Sequence, residues 1–208
     1  MKSQLFKELQ RRLKVIKKNL MPKSNFLGNY TAMQIDKFYG FRLLAHAELE
    51  AYFEQRAIEI LDSAKNMFLN GKNNIVIISL LTYIDTNDFE INTCVNSPNR
   101  ASKLKDLNTI VNTTISKYHK EILSKNNGIK EKNILKILLP IGVLATQLDS
   151  SWLSTLDSYG AKRGDVAHNS IKHNRVGTII NPIDEENTIN IILAGIDDIE
   201  KNIFNKLL

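Results

Sequence analysis

"IVIISLLTYI", Ile75 to Ile84, is the stretch on which the fold class turns. Ten apolar-rich residues with several β-branched members suit a buried strand and a buried helix equally, and periodicity does not separate the two. The neighbours decide. No other stretch reads as a strand to pair with it, so we take Ile75 to Ile84 as a helix and the chain as all-α.

Working outward, the helical periods are plain. Leu5, Leu9, Leu13 and Ile16 form an apolar stripe among basic residues and predict a helix from Leu5 to Leu20. "MPKSNFLGNYT" (Met21 to Thr31) carries Pro22 and Gly28 and breaks it. From about Ala32 to Leu69 the residues Phe41, Leu44, Ala45, Leu49, Tyr52, Phe53, Ile60 and Leu61 recur at helical spacing, with Gly71 as the natural terminator.

Beyond a polar connection from Asp85 to Arg100, the residues Leu104, Leu107, Val111, Ile115, Tyr118 and Ile122 make the cleanest helical face, ended by "SKNNG" (Ser124 to Gly128). A helix beginning over Ile134 to Leu139 is interrupted by Pro140 and Gly142. The pattern resumes from about Leu144 through Leu148, Trp152, Leu153 and Leu156, with Trp152 in the core. A last helix is expected over Ile191 to Leu207, after a loop around Pro182. One domain over 1–208 follows, with an N-terminal helix and linker over 1–31 and the core from about 32.

The composition is that of an ordinary soluble domain: 43% hydrophobic and 24% charged over 208 residues. The net charge of +6 favours polyanionic partners, nucleic acid first, but only mildly. The single cysteine, Cys94, rules out an internal disulfide and a cysteine-based zinc site. The charge-laced start is no secretory segment, and no apolar run reaches the ~20 residues a bilayer needs. A cytoplasmic protein without a membrane partner is expected. The same start has the charge of a basic amphipathic membrane-surface helix, but an ordinary N-terminal helix is the preferred reading.

"DSYGAKRGDVAHNSI" (Asp157 to Ile171) is where chemistry enters. One reading is a helix–helix connection: Gly160 ends one helix, Asp165 caps the next, and His168 faces solvent. The other reading uses the same cap. Residues five apart on one continuous helix are rotated by roughly 140° and do not converge. With Asp165 as N-cap, Arg163 lies in the approach to the helix and His168 one turn inside, so both can face an anion beside the free N–H groups. Such a pair suits RNA cleavage without a metal. The 2′-hydroxyl is the nucleophile, the imidazole moves the proton, and the guanidinium holds the charge developing on phosphorus. One His and one Arg are half an acid–base set, which a symmetric dimer would complete.

The segment "RGDVAH", preceded by "LDSSWLSTLDSYGAK", resembles the R-x4-6-H region of HEPN domains, and the chain is most similar to the RiboL-PSP-type HEPN group. "ILKILLPIGV", the acidic "HAELEAYFE" and "IINPIDEENTINIILAGIDDIEKNI" carry the rest of the likeness, which covers most of the chain from about Phe41. The resemblance implies an all-α HEPN-like bundle, with the motif opening a late helix. It also implies a dimeric, metal-independent endoribonuclease of a prokaryotic toxin–antitoxin, abortive-infection or restriction system. It places the catalytic pair on Arg163 and His168. No metal or cofactor is implied; the partners are RNA, a second copy, and an antitoxin or defence-system protein.

Asp165, Asn169 and Glu50 are supporting candidates, with capping the favoured role for Asp165. Lys162, Lys172 and Arg175 are candidates for flanking phosphates. The motif interior, Gly164 to Ala167, lacks the tyrosine that some HEPN toxins carry for modification by a partner.

Arg42 and His46 are expected as a surface pair with His46 near Glu50. Glu50 and Glu54 read as a solvated stripe or as packing beside the active-site helix. His119 and His173 are expected at the surface, His173 near enough to His168 to touch substrate. Two other functions stay open: a non-catalytic HEPN-type module that binds RNA or a nucleotide or scaffolds a defence complex, and a plain helical interaction protein.

Overall fold

The first helix, α1 (Gln4–Leu20), starts where the Ser3 hydroxyl accepts a hydrogen bond from the Phe6 amide, 3.1 Å. It buries the predicted stripe: Phe6, Leu9, Leu13 and Ile16 are at most 5% exposed. This is a computed structural model, and it describes residues 2–25, 27–84, 107–168 and 180–208, with the backbone alone for Ile84, Asp165, Ala167 and His168.

Helix α2 (Ala32–Leu69) is the axis of the molecule. At 38 residues it runs ~57 Å. Thr31 and Gln34 form a reciprocal capping box at its start. At its end Gly71 takes φ +75°, with Gly71 N–H bonded to Phe68 O (2.9 Å) and Lys72 N–H to Met67 O (3.0 Å), a Schellman closure. Buried residues come in adjacent pairs along it, Ala45–His46, Tyr52–Phe53 and Ile60–Leu61 among them, because helices cover it on more than one side.

Helix α3 (Ile75–Ile84) settles the opening ambiguity: it is helical, and no strand occurs among the described residues. It buries Val76, Ile77 and Leu80 and leaves Ile75, Ile78 and Tyr83 exposed. Helix α4 (Leu107–Lys125) buries Val111, Ile115, Tyr118 and Ile122 as the spacing predicted, whereas Leu107 is 56% exposed. His119 on this helix is partly buried rather than at the surface. Helix α5 (Glu131–Leu138) is followed by the Pro140–Gly142 break, where Gly142 takes φ +94°.

Helix α6 (Ser150–His168) opens on Asp149, whose carboxylate accepts from the Trp152 amide at 2.7 Å. Helix α7 (Pro182–Ile199) begins nine residues before the expected Ile191. Pro182 is its first residue rather than part of a loop, because proline suits a position whose N–H has no helical partner, and Asn181 caps it. The chain closes with a widened π turn (Glu200–Phe204) and a last turn (Asn205–Leu207). No helix among the described residues is long and apolar enough to cross a membrane.

The core runs along α2, filled by α1, α3, α4, α6 and α7. A smaller cluster, Phe38, Tyr39 and Ile180 with Met21, Tyr30, Ile35 and Val166 against it, seals the N-terminal end of α2.

Candidate active site

The R-x4-H motif does not open a new helix. Helix α6 runs unbroken through Gly160, Arg163 and Asp165 to His168, which corrects two expectations: Gly160 terminates nothing, and Asp165 is not an N-cap. Gly160 is where α6 meets the segment before α5. A Cβ there would stand 2.9 Å from Lys130 Cγ and 3.4 Å from the Lys130 amide nitrogen, so its missing side chain is a packing requirement. The consequence for chemistry is direct. The amides of residues 165–168 belong to the helical ladder, so no free helix-start N–H groups are available to an anion there. On one helix, positions 163 and 168 are rotated by roughly 140° about the axis.

What surrounds Arg163 comes from α2 and α6 together. Arg42, His46, Glu50 and Glu54 stand at four-residue steps on one side of α2. The expected surface pair is not one: His46 is 2% exposed, and Arg42 is largely buried. Arg42 lies over the Phe38 ring at 5.0 Å and grips Glu185 of α7 with both ends of its fork, Nε–Oε1 at 2.8 Å and Nη2–Oε2 at 2.6 Å. Burial alone would make a guanidinium easier to deprotonate. The bidentate carboxylate outweighs that and raises the Arg42 pKa, keeping the pair ionic.

His46 stacks on Tyr159 of α6, ring centroids 6.4 Å apart and planes 20° from parallel. Its Nδ1 is 3.7 Å from Glu50 Oε2, near enough to feel the charge but too long for a hydrogen bond. Burial, then the charge of Arg163, holds the His46 pKa down at about 4, so the ring is neutral near neutral pH. The Tyr159 hydroxyl donates to the Arg42 carbonyl at 3.4 Å, and burial raises its pKa.

The loop between α4 and α5 closes the other side. The Gly128 amide donates to Glu50, and Asn126 Nδ2 donates to Glu54 Oε1 (2.7 Å) and Glu50 Oε1 (3.3 Å). Asn133 donates to Asn126 Oδ1 at 2.9 Å. Gly128 has φ +124°, and a Cβ there would press on the His46 ring at 3.3 Å. Both facts require glycine. Burial raises the Glu54 pKa despite its bond from Asn126.

Arg163 is half-buried, and among the described residues it has no ion pair or hydrogen bond. Lys162 beside it is exposed. Of the predicted residues, the structure thus brings Arg163 to His46, with Glu50 behind. The side chains of Asp165 and His168, and all of Asn169, Lys172, His173, Arg175 and Cys94, lie outside the described residues. Sequence reading missed the burial of His46 and the parts played by Tyr159, Glu185 and Gly128. The available signal was the i, i+4 stripe lying one residue from the core positions Ala45, Leu49 and Phe53.

Fold and site together define an all-α bundle whose late helix carries an arginine against a buried polar layer. The chain belongs to the RiboL-PSP-HEPN family, whose model matches residues 6–205. No curated protein and no solved structure matches it.

Proposed function

We propose that this protein is a metal-independent endoribonuclease of a prokaryotic defence or toxin–antitoxin type system, working on RNA as a homodimer with Arg163 and His168 as its catalytic pair. The observation that carries this reading is Arg163: a half-buried guanidinium with no counter-ion among the described residues, in a chain of a HEPN family. A cation in that setting is a receptor for an anion, and its fork fits phosphate oxygens. His168 moves the proton as the substrate's 2′-hydroxyl attacks phosphorus and the 5′-oxygen leaves. The neutral His46 adds no second cation to repel the arginine.

Because α6 is continuous, positions 163 and 168 of one subunit stand well apart around its axis. The dimer answers this by setting Arg163 of one subunit against the imidazole of its twin. The same observation favours a second reading, a non-catalytic RNA- or nucleotide-binding module that scaffolds a defence complex.

Incubating the purified protein with total RNA in EDTA decides. Cleavage leaving cyclic phosphate ends, lost in His168→Ala with the helical spectrum unchanged, is expected. Equal cleavage by the variant, or a strict metal requirement, overturns the catalytic reading; tight RNA binding without cleavage leaves the scaffold.

A further inference from the structure

The C-terminal end of α1, the Met21–Ser24 segment and the start of α7 enclose a groove of about 470 Å³. That lies within the ~300–1,000 Å³ of small-ligand sites, room for about one nucleotide. Lys14, Lys17, Lys18 and Lys23 surround it, and Pro182 and Ile183 add an apolar surface. The geometry points to this groove as a binding site for single-stranded RNA, taking a stretch of strand that flanks the scissile phosphate. The inference rests on the RNA reading above and extends it to a surface away from the Arg163 helix.

Charge bookkeeping is one-sided here. Glu186 alone among the lining residues is acidic, and it is bound to Lys17. The neighbouring carboxylates are also engaged: Asp184 accepts from the Asn181 amide at 2.5 Å, and Glu185 is held by Arg42. Lys14, Lys18 and Lys23 are exposed and have no ion pair among the described residues. Three ammonium groups converging on one hollow repel each other until a polyanion enters.

Two further observations select RNA. Met21 lines the groove and also packs against the Phe38–Tyr39–Ile180 cluster, as does Val166 between Arg163 and His168, so groove and motif rest on one small apolar cluster. A membrane surface is the weaker partner. The apolar stripe of α1 is already spent on the core, with Phe6, Leu9, Leu13 and Ile16 at most 5% exposed, and leaves no face to insert. The exposed Ile183 side chain, set beside the buried Pro182, suits a base face, while lysine ammonium groups meet phosphates.

The test uses the full chain and a single-stranded 2′-deoxy oligonucleotide, which lacks the hydroxyl that cleavage needs. Lys14→Gln/Lys18→Gln/Lys23→Gln is expected to weaken binding about tenfold or more at low salt. It should also flatten the plot of log affinity against log salt by about 2, near 0.7 for each lost phosphate contact. The matching Lys→Arg variant retains both. Unchanged affinity and slope, no oligonucleotide binding by the wild type, or a preference for phosphatidylserine vesicles overturns the groove. Should the wild type bind through these lysines yet cut no RNA, the catalytic reading falls and the groove stands. Should the Gln variant cleave long RNA at the wild-type rate, the groove falls and catalysis stands.

Discussion

His46 shows how much one side chain's setting matters. Its spacing from Arg42 and Glu50 was legible, but its burial was not, because burial depends on Tyr159 and Gly128 arriving from distant parts of the chain. With a folded pKa of about 4 against 6.5 unfolded, the unfolded chain holds more protons between those values. Stability therefore falls as pH drops from about 6.5 towards 4. His46→Gln should flatten the dependence of melting temperature on pH in that window, whatever it does to stability at pH 8. A slope as steep as the wild type's would show that the ring is not buried neutral. Arg163 was singled out by type and position, while the buried His46 beside it, with Glu50 behind, comes from α2.

At the level of elements, the pairing of α6 with α7 is set by a glycine. Trp152 of α6 lies over Gly195 of α7, and its Nε1 donates to the Ile192 carbonyl at 3.1 Å. A Cβ at Gly195 would lie 2.2 Å from two indole ring atoms, with no room to yield in a core where Trp152 is 4% exposed. Gly195→Ala should cost about 1–3 kcal/mol, measured by denaturant unfolding, and more if the helices cannot separate. An unchanged midpoint would mean that the two helices pack differently. The same logic explains the misread motif. Glycine at 160 looks like a terminator in sequence, yet the close approach of the segment at Lys130, just before α5, needs it as a gap.

For the whole molecule, one buried network ties the chain's beginning to its end. Glu200, fully buried in the π turn, accepts from Ser3, from Tyr52 at 2.8 Å, and from both ends of the Arg56 fork at 3.0 and 3.1 Å. The π turn opens the helix by one residue there. Glu200→Ala leaves Arg56 buried without its bidentate partner and should cost about 3–5 kcal/mol. Replacing the pair together, Arg56→Met with Glu200→Leu, should recover most of that loss. If the single variant unfolds like wild type, the network does not hold the termini.

The sequence by itself determined that the chain is all-α and where most helices lie, because amphipathic period and capping residues act within a few positions of one another. It also offered Arg163 and His168 as the pair proposed for catalysis, by their type and spacing. Only the tertiary structure decided that α6 runs on through the motif, that His46 is buried against Tyr159, and that lysines from α1 gather beside the start of α7. Burial and convergence belong to no single segment: they depend on which distant side chains exclude water from a given place, and no local period encodes that.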